Sequence, residues 1–217
     1  MRQRNVKNCD EILNSSDKYL KDIHSIDKSK YEKICLEIGI GKGAFISECA
    51  KRHPENLYIG IELNKGVVSL ATKKIARFET EIGKKLDNLK VLDYNALELN
   101  NLFEAHEVDK IYLNFSDPWP KKKHEKRRLT SDEFLKVYKS ILKEDSVIEF
   151  KTDNRGLFEY SLKNMNKNNM SFEYISLNLH QDIDSGKLDN EEPNIMTEYE
   201  QKFMVFGPIY KMIAKFN

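Results

Sequence analysis

Apolar and polar positions along the chain alternate between two periods. Residues 34–38 form a short apolar run broken only by Glu37, and 57–63 and 89–93 are similar runs of strand length. Between them the spacing changes. Residues 44–53 read as a helix stopped at Pro54, and 67–82 carry Val67, Leu70, Ala71, Ile75, Phe78 and Ile82 near one helical face. The second half repeats the scheme. Residues 110–115 predict a strand, 131–142 a helix with Phe134, Leu135, Tyr138, Ile141 and Leu142 on its apolar side, and 146–151 another strand.

Strands that alternate with helices at this spacing imply right-handed βαβ units. The expected fold is α/β and Rossmann-like, a mostly parallel sheet with helices on both faces. The end of the chain differs. Residues 172–179, 202–206 and 209–216 read as β-like with no helix of useful length between them, which predicts a C-terminal antiparallel hairpin at the sheet edge. Residues 186–195, with an Asp-Asn-Glu-Glu-Pro run, read as a mobile loop. Residues 1–30 are polar and without glycine. They read as a basic, polar tail with one short helix around 17–23, ahead of a single domain over 31–217.

Composition narrows the function classes. The 217 residues suffice for one domain with a full core. No apolar run follows the basic N-terminus, so neither a signal peptide nor a membrane span is expected. Three cysteines, Cys9, Cys35 and Cys49, have no tight pair spacing, and the five histidines are scattered. A disulfide framework and a metal site are therefore not expected, and a cytoplasmic, reducing compartment fits best. The formal net charge is only +1, so a nucleic-acid partner has to be argued from local clusters. Monomer and homodimer stay equally open.

The first strand runs into Leu36-Glu37-Ile38-Gly39-Ile40-Gly41-Lys42-Gly43. Glycines at Gly39, Gly41 and Gly43 let the chain turn tightly and a ligand approach the backbone. Glu62 closes the second strand about 20 residues later, where a carboxylate reaches ribose hydroxyls. Together they mark an adenosine-binding site. Gly39, Gly41 and Ala44 also satisfy the looser dinucleotide pattern. Two details favour S-adenosylmethionine (SAM): Glu37 can face a cationic amino group, and Lys42 stands where a dinucleotide site keeps its amides free for pyrophosphate. The third strand ends in Asp93-Tyr94-Asn95-Ala96, where Asp93 or Asn95 can bond adenine.

The most specific segment follows the fourth strand. In Ser116-Asp117-Pro118-Trp119-Pro120, two prolines stiffen a loop at a strand's carboxyl end, where α/β sheets place chemistry. Residues 121–128 then hold six Lys or Arg among eight, a phosphate-binding density, and Trp119 can stack on an unpaired base. A nicotinamide oxidoreductase would leave this loop and basic run unused. Other SAM enzymes more typically place two adjacent prolines before the aromatic residue. A non-catalytic RNA-binding module has no need of Glu37, Glu62 and Asp117.

The stretch 117–128 strongly resembles the signature of bacterial tRNA (guanine-N7)-methyltransferases. Further similar stretches run along nearly the whole chain: Met1-Arg2-Gln3-Arg4, the glycine turn, Gly60-Ile61-Glu62, Phe150-Lys151-Thr152-Asp153-Asn154, and Asn194-Ile195-Met196-Thr197-Glu198-Tyr199-Glu200-Gln201-Lys202-Phe203. The resemblance implies a class I methyltransferase fold with a seven-stranded sheet, acting on N7 of guanosine 46 in the variable loop of tRNA. It implies SAM contacts from Glu37, Glu62, Asn95 and Asp117. It implies tRNA or guanine contacts from Lys121, from Lys123, His124, Glu125, Lys126, Arg127 and Arg128, from Asp153, and from Thr197, Glu198, Tyr199 and Glu200. Asp117 is the expected catalytic residue. The tRNA backbone is expected to meet the basic run and also Arg2, Arg4 and Lys7.

Overall fold

The computed structural model describes residues 8–187 and 193–217. The basic opening Arg2, Arg4 and Lys7 lies outside them, as does part of the loop expected over 186–195. Seven strands form one sheet in the order β3-β2-β1-β4-β5-β7-β6, as the resemblance implies. They are β1 (Ile34–Ile38), β2 (Leu57–Glu62), β3 (Leu89–Asp93), β4 (Val108–Asn114), β5 (Leu142–Thr152), β6 (Met170–Ser176) and β7 (Tyr210–Phe216). The chain divides into two compact units, one ending at Glu98 and the other beginning at Leu99.

In the first unit β1, β2 and β3 pair in parallel. Helix α1 (Cys9–Asn14) packs on α3 (Lys65–Ile82), and α2 (Ala44–Arg52) and α3 pack on the strands. Every residue of β1 is buried. Asn64 starts α3 by accepting from Val67 N, and Gly83 ends it at φ 63°, a conformation that favours glycine.

The helix expected around 17–23 is absent. Residues 18–20 instead lie beside β3, with Val91 N donating to Lys18 O at 2.9 Å and Leu20 N to Val91 O at 3.0 Å. The reason is a polar contact that helical periodicity does not encode. Lys18, 1% exposed, reaches Glu79 Oε1 of α3 and Leu86 O, each at 2.8 Å. The buried ammonium thus has both a counter-charge and a carbonyl.

In the second unit β4 and β5 are parallel, and β7 pairs antiparallel with both β5 and β6, which is the expected antiparallel ending. Helices α4 (Asp132–Ile141) and α5 (Arg155–Lys167) lie between strands. Two short helices between β6 and β7 were not anticipated: α6 (Leu179–Asp184) and α7 (Glu198–Phe203). The β-like reading of 202–206 is overturned by chemistry at the start of α7. Thr197 and Glu200 form a reciprocal capping box, which begins a helix that runs through Lys202 and Phe203.

Candidate active site

The first unit gathers its candidate residues at one edge. Strand register sets Ile38 beside Ile61 and Glu62 beside Asp93, so three strands end together. Glu37 lies within β1 at 2% exposure. After it the chain passes through Gly39, Gly41 and Gly43 at φ 79°, 53° and 73°. Gly39 N donates to Ile61 O at 2.7 Å and Gly43 N to Ile40 O at 2.9 Å, which folds the turn back on β2. A side chain on Gly41 would meet nothing within 4 Å, so open space stands over the turn. Gly60 of β2 allows the turn to pack closely, since a Cβ there would lie 2.8 Å from Ile40 Cγ2.

Glu62 is half-buried and accepts from Asn64 N at 3.0 Å. Asp93, also half-buried, accepts from the hydroxyl of Tyr19. Burial first, and then this contact with the aspartate, push the Tyr19 hydroxyl up to about 12. Asn95 caps the following turn, accepting from Leu97 N and donating to Glu98 Oε1, and Ala96 is buried. Tyr19 is a residue that sequence reasoning missed. No local pattern signals it, because it reaches Asp93 only through the strap along β3.

The second unit gathers the others beyond β4 and β5. Asn114 and Lys151 are register partners, so Asp117 and Asp153 follow the carboxyl ends of neighbouring strands. Both are exposed. Asp153 is not a helix cap. Asn154 takes that role by accepting from Leu157 N, which leaves the Asp153 carboxylate to the Tyr199 hydroxyl, donated at 2.9 Å. The Tyr199 ring lies 5.0 Å from Phe115, two residues before Asp117, and stacks on Phe203 at 4.2 Å. Burial and then Asp153 raise the Tyr199 hydroxyl above its ordinary value.

The Asp117 loop is tightly bent. Phe115 and Trp119 have φ of 50° and 41°, rare for bulky residues. Arg128 holds the loop, with Nε donating to Pro118 O and Nη2 to Trp119 O, both at 3.1 Å, while its guanidinium lies 4.2 Å from the Tyr160 ring centre. Burial, then the charge of Glu125, push the Tyr160 hydroxyl up to about 12. Arg127 covers a face of Trp119 at 4.9 Å, and His124 meets its edge at 5.6 Å. Lys126 pairs with Glu133. The expected phosphate clamp is therefore not uniform. Lys121, Lys122 and Lys123 are exposed and make no ion pair among the described residues, whereas Arg127 and Arg128 serve the loop itself and Glu125 faces Tyr160.

Residues 197–200 divide in the same way. Glu198 and Tyr199 are exposed, while Thr197 caps α7. Glu200 has no exposed surface, and both its oxygens accept within the protein, from Lys151, Asn194 and Thr197 N, with His180 Nε2 3.3 Å from Oε1. The Thr-x-x-Glu spacing is a legible capping signal, but the charge it buries was not.

A family model described as "Putative methyltransferase" matches residues 31–211. The chain is 46% identical to a tRNA (guanine-N(7)-)-methyltransferase of Lactiplantibacillus plantarum, over 95% of this chain and 91% of that protein. It is 42% identical to one of Streptococcus sanguinis over the whole of both chains. The solved structure of the 16S rRNA methyltransferase KamB has a TM-score of 0.62 at 13% identity, covering 88% of this chain and 90% of that one, a likeness of fold. With identity at this level over nearly its whole length, the chain belongs to the tRNA (guanine-N7)-methyltransferase family.

Proposed function

We propose that this protein transfers a methyl group from SAM to N7 of guanosine 46 in the variable loop of tRNA. The carrying observation is the cluster beyond β4 and β5. A strained loop presents Asp117, a tyrosine hydroxyl fixes Asp153, and three exposed lysines follow within six residues.

The residues of the first unit fit the methyl donor. Three left-handed glycines form the turn, open space stands over Gly41, and carboxylates stand at or beside the ends of three parallel strands. When bound, SAM supplies a methyl group activated on a sulfonium. In this reading Gly39, Gly41 and Gly43 admit it to the backbone, Glu37 holds its amino group, Glu62 its ribose, and Asp93, Asn95 and Ala96 line the adenine. Asp93 is held toward that task by Tyr19.

Guanine N7 carries a lone pair at neutral pH, so no residue of the chain has to remove a proton. The work left to the protein is alignment, with reacting atoms about 3–3.5 Å apart, and stabilisation of a base that becomes cationic. Asp117 is assigned that charge. Asp153, with Tyr199 behind it, accepts from the N1–H and exocyclic amine of guanine, which adenine cannot offer. Lys121, Lys122 and Lys123 meet the RNA backbone. The base is taken out of its tertiary pairing first, as base-modifying enzymes require.

The test is incubation with methyl-labelled SAM and unmodified tRNA transcripts, followed by digestion to nucleosides. Label in 7-methylguanosine that vanishes when guanosine 46 is replaced by adenosine is the expected result. Label in any other nucleoside refutes the assignment of base and atom.

A further inference from the structure

Lys151, the residue before the last of β5, and Glu200 of α7 have no exposed side-chain surface. Lys151 Nζ donates to Glu200 Oε2 and to Ile195 O, each at 2.8 Å, and to Asn194 Oδ1 at 3.4 Å. Glu200 Oε1 accepts from Asn194 Nδ2 at 2.9 Å, with His180 Nε2 3.3 Å away.

Removing two full charges from water is costly, and apolar residues of equal volume often hold a helix as well or better. Stability is thus a poor reason for the pair. A directional pair does something an apolar contact does not, which is to select one register. The register of α7 decides where Tyr199 points, one residue before Glu200. Tyr199 in turn holds Asp153 and packs on Phe115. The backbone of Lys151 takes part as well, because its carbonyl accepts from Phe115 N at 2.8 Å. One residue therefore secures the Asp117 loop through its carbonyl and the Tyr199 helix through its ammonium.

We propose that Lys151 and Glu200 form a positioning pair that sets Tyr199, and through it Asp153, in the register that reads guanine, and that Glu200 does not itself touch the base. This rests on the guanine-N7 reading above.

A double-mutant cycle separates the two roles of Glu200. Lys151→Met, Glu200→Gln, Glu200→Leu and the charge-free double Lys151→Met/Glu200→Leu are compared with Tyr199→Phe. The readouts are kcat and KM for tRNA, the dissociation constant of SAM, and the ratio of activity on guanosine 46 to that on an inosine 46 transcript. Inosine keeps N7 and N1–H but lacks the exocyclic amine. Each single variant should lose roughly tenfold or more in kcat/KM for tRNA, within the range of couplings in one buried network. The double should lose no more than the worse single. The guanosine-over-inosine ratio should fall to that of Tyr199→Phe, and SAM affinity should stay within about twofold of wild type.

Losses that multiply in the double overturn the proposal, because Glu200 then acts independently of Lys151. A guanosine-over-inosine ratio that stays at the wild-type value while melting temperature falls also overturns it, leaving a brace without a reading role. Where the singles fail to fold, the double, which buries no charge, decides by the same ratio. Wild-type enzyme that labels a different atom of tRNA refutes the activity reading instead, and the proposal with it. Multiplying losses in an N7-active enzyme refute the pair alone.

Discussion

Gly60→Ala tests whether the glycine turn rests on β2 as closely as the structure places it. The added Cβ would lie 2.8 Å from Ile40 Cγ2, 3.0 Å from Ile40 Cδ1 and 3.2 Å from Val91 Cγ1. Ordinary carbon contacts are about 3.5–4.0 Å, so Ile40 must give by about 1 Å. Its Cγ2 sits on a branched Cβ and cannot swing aside without a new χ1 rotamer. Ile40 is also buried and stands between Gly39 and Gly41, so the strain passes to the turn. Overpacking of this kind costs about 1–3 kcal/mol. For a chain of this size each kcal/mol lowers the melting temperature by about 2–4 °C. The variant should melt about 2–12 °C lower and bind SAM more weakly, read by thermal denaturation and equilibrium dialysis. Adding Ile40→Ala should restore SAM affinity though not stability. Gly41→Ala is the contrast. Its Cβ meets no protein atom, but at φ 53° it carries strain of about 1–2 kcal/mol. If Gly60→Ala melts and binds SAM as the wild type does, the close packing of turn on strand is wrong.

Asp117→Ala should keep tRNA affinity and lose most turnover, by about 10²-fold or more if the carboxylate stabilises developing charge; filter binding and single-turnover rates decide, and full activity would remove Asp117 from the chemistry. Tyr19→Phe should raise KM for SAM several-fold, since a hydrogen bond to a charged group contributes about 1.5–3 kcal/mol when buried and less here, with KM for tRNA unchanged; a rise confined to tRNA contradicts it. Glu149 is buried, which opposes its charge, yet Lys110 and then Lys211 hold its carboxyl down to about 2 from the usual 4.5. Because its folded value is the lower one, the stability it brings is present above about pH 4.5 and is lost as pH falls toward 2. Glu149→Gln should cost up to about 3 kcal/mol at neutral pH and flatten that acid limb in urea titrations; an unchanged limb assigns the acid sensitivity elsewhere.

The order of strands and helices was legible because apolar spacing encodes which face is buried. The glycine turn and Glu62 were legible because chain conformation and residue type coincide there. What stayed hidden are polar contacts between residues far apart in sequence. Lys18 with Glu79 displaces an expected helix, Tyr19 holds Asp93, and Lys151 with Glu200 occupies a carboxylate that sequence alone offers to the substrate. In each, a charge or hydroxyl that periodicity assigns to solvent is buried or half-buried against specific partners. Residues 202–206 failed for a different reason. Their apolar spacing is too short to choose between periods, and the capping box upstream settled it.

In the proposed reaction no general base is needed and alignment is the main catalytic device, and on that reading the costly features around Asp117 serve alignment. Phe115 and Trp119 hold left-handed conformations, and strain of that kind persists only where the surroundings over-determine it. The Lys151 carbonyl holds Phe115 N at one end of the loop, and Arg128 over-determines the Trp119 end. That arginine reaches two consecutive carbonyls of the loop with one planar fork and lies against Tyr160. On this reading the basic run, taken from sequence as one phosphate clamp, is two devices, and a charge-conserving substitution tells them apart. Lysine replaces arginine tolerably at a phosphate but not at a two-pronged, stacked site. Arg128→Lys should therefore cut kcat by tenfold or more while the salt dependence of tRNA binding stays as in wild type. Neutralising Lys121, Lys122 and Lys123 together should do the opposite, lowering that slope by about 2–3 at roughly 0.9 per lost phosphate contact, with kcat at saturating tRNA little changed. If Arg128→Lys instead keeps kcat and the lysine triple leaves the slope intact, the division is reversed and Arg128 faces the RNA.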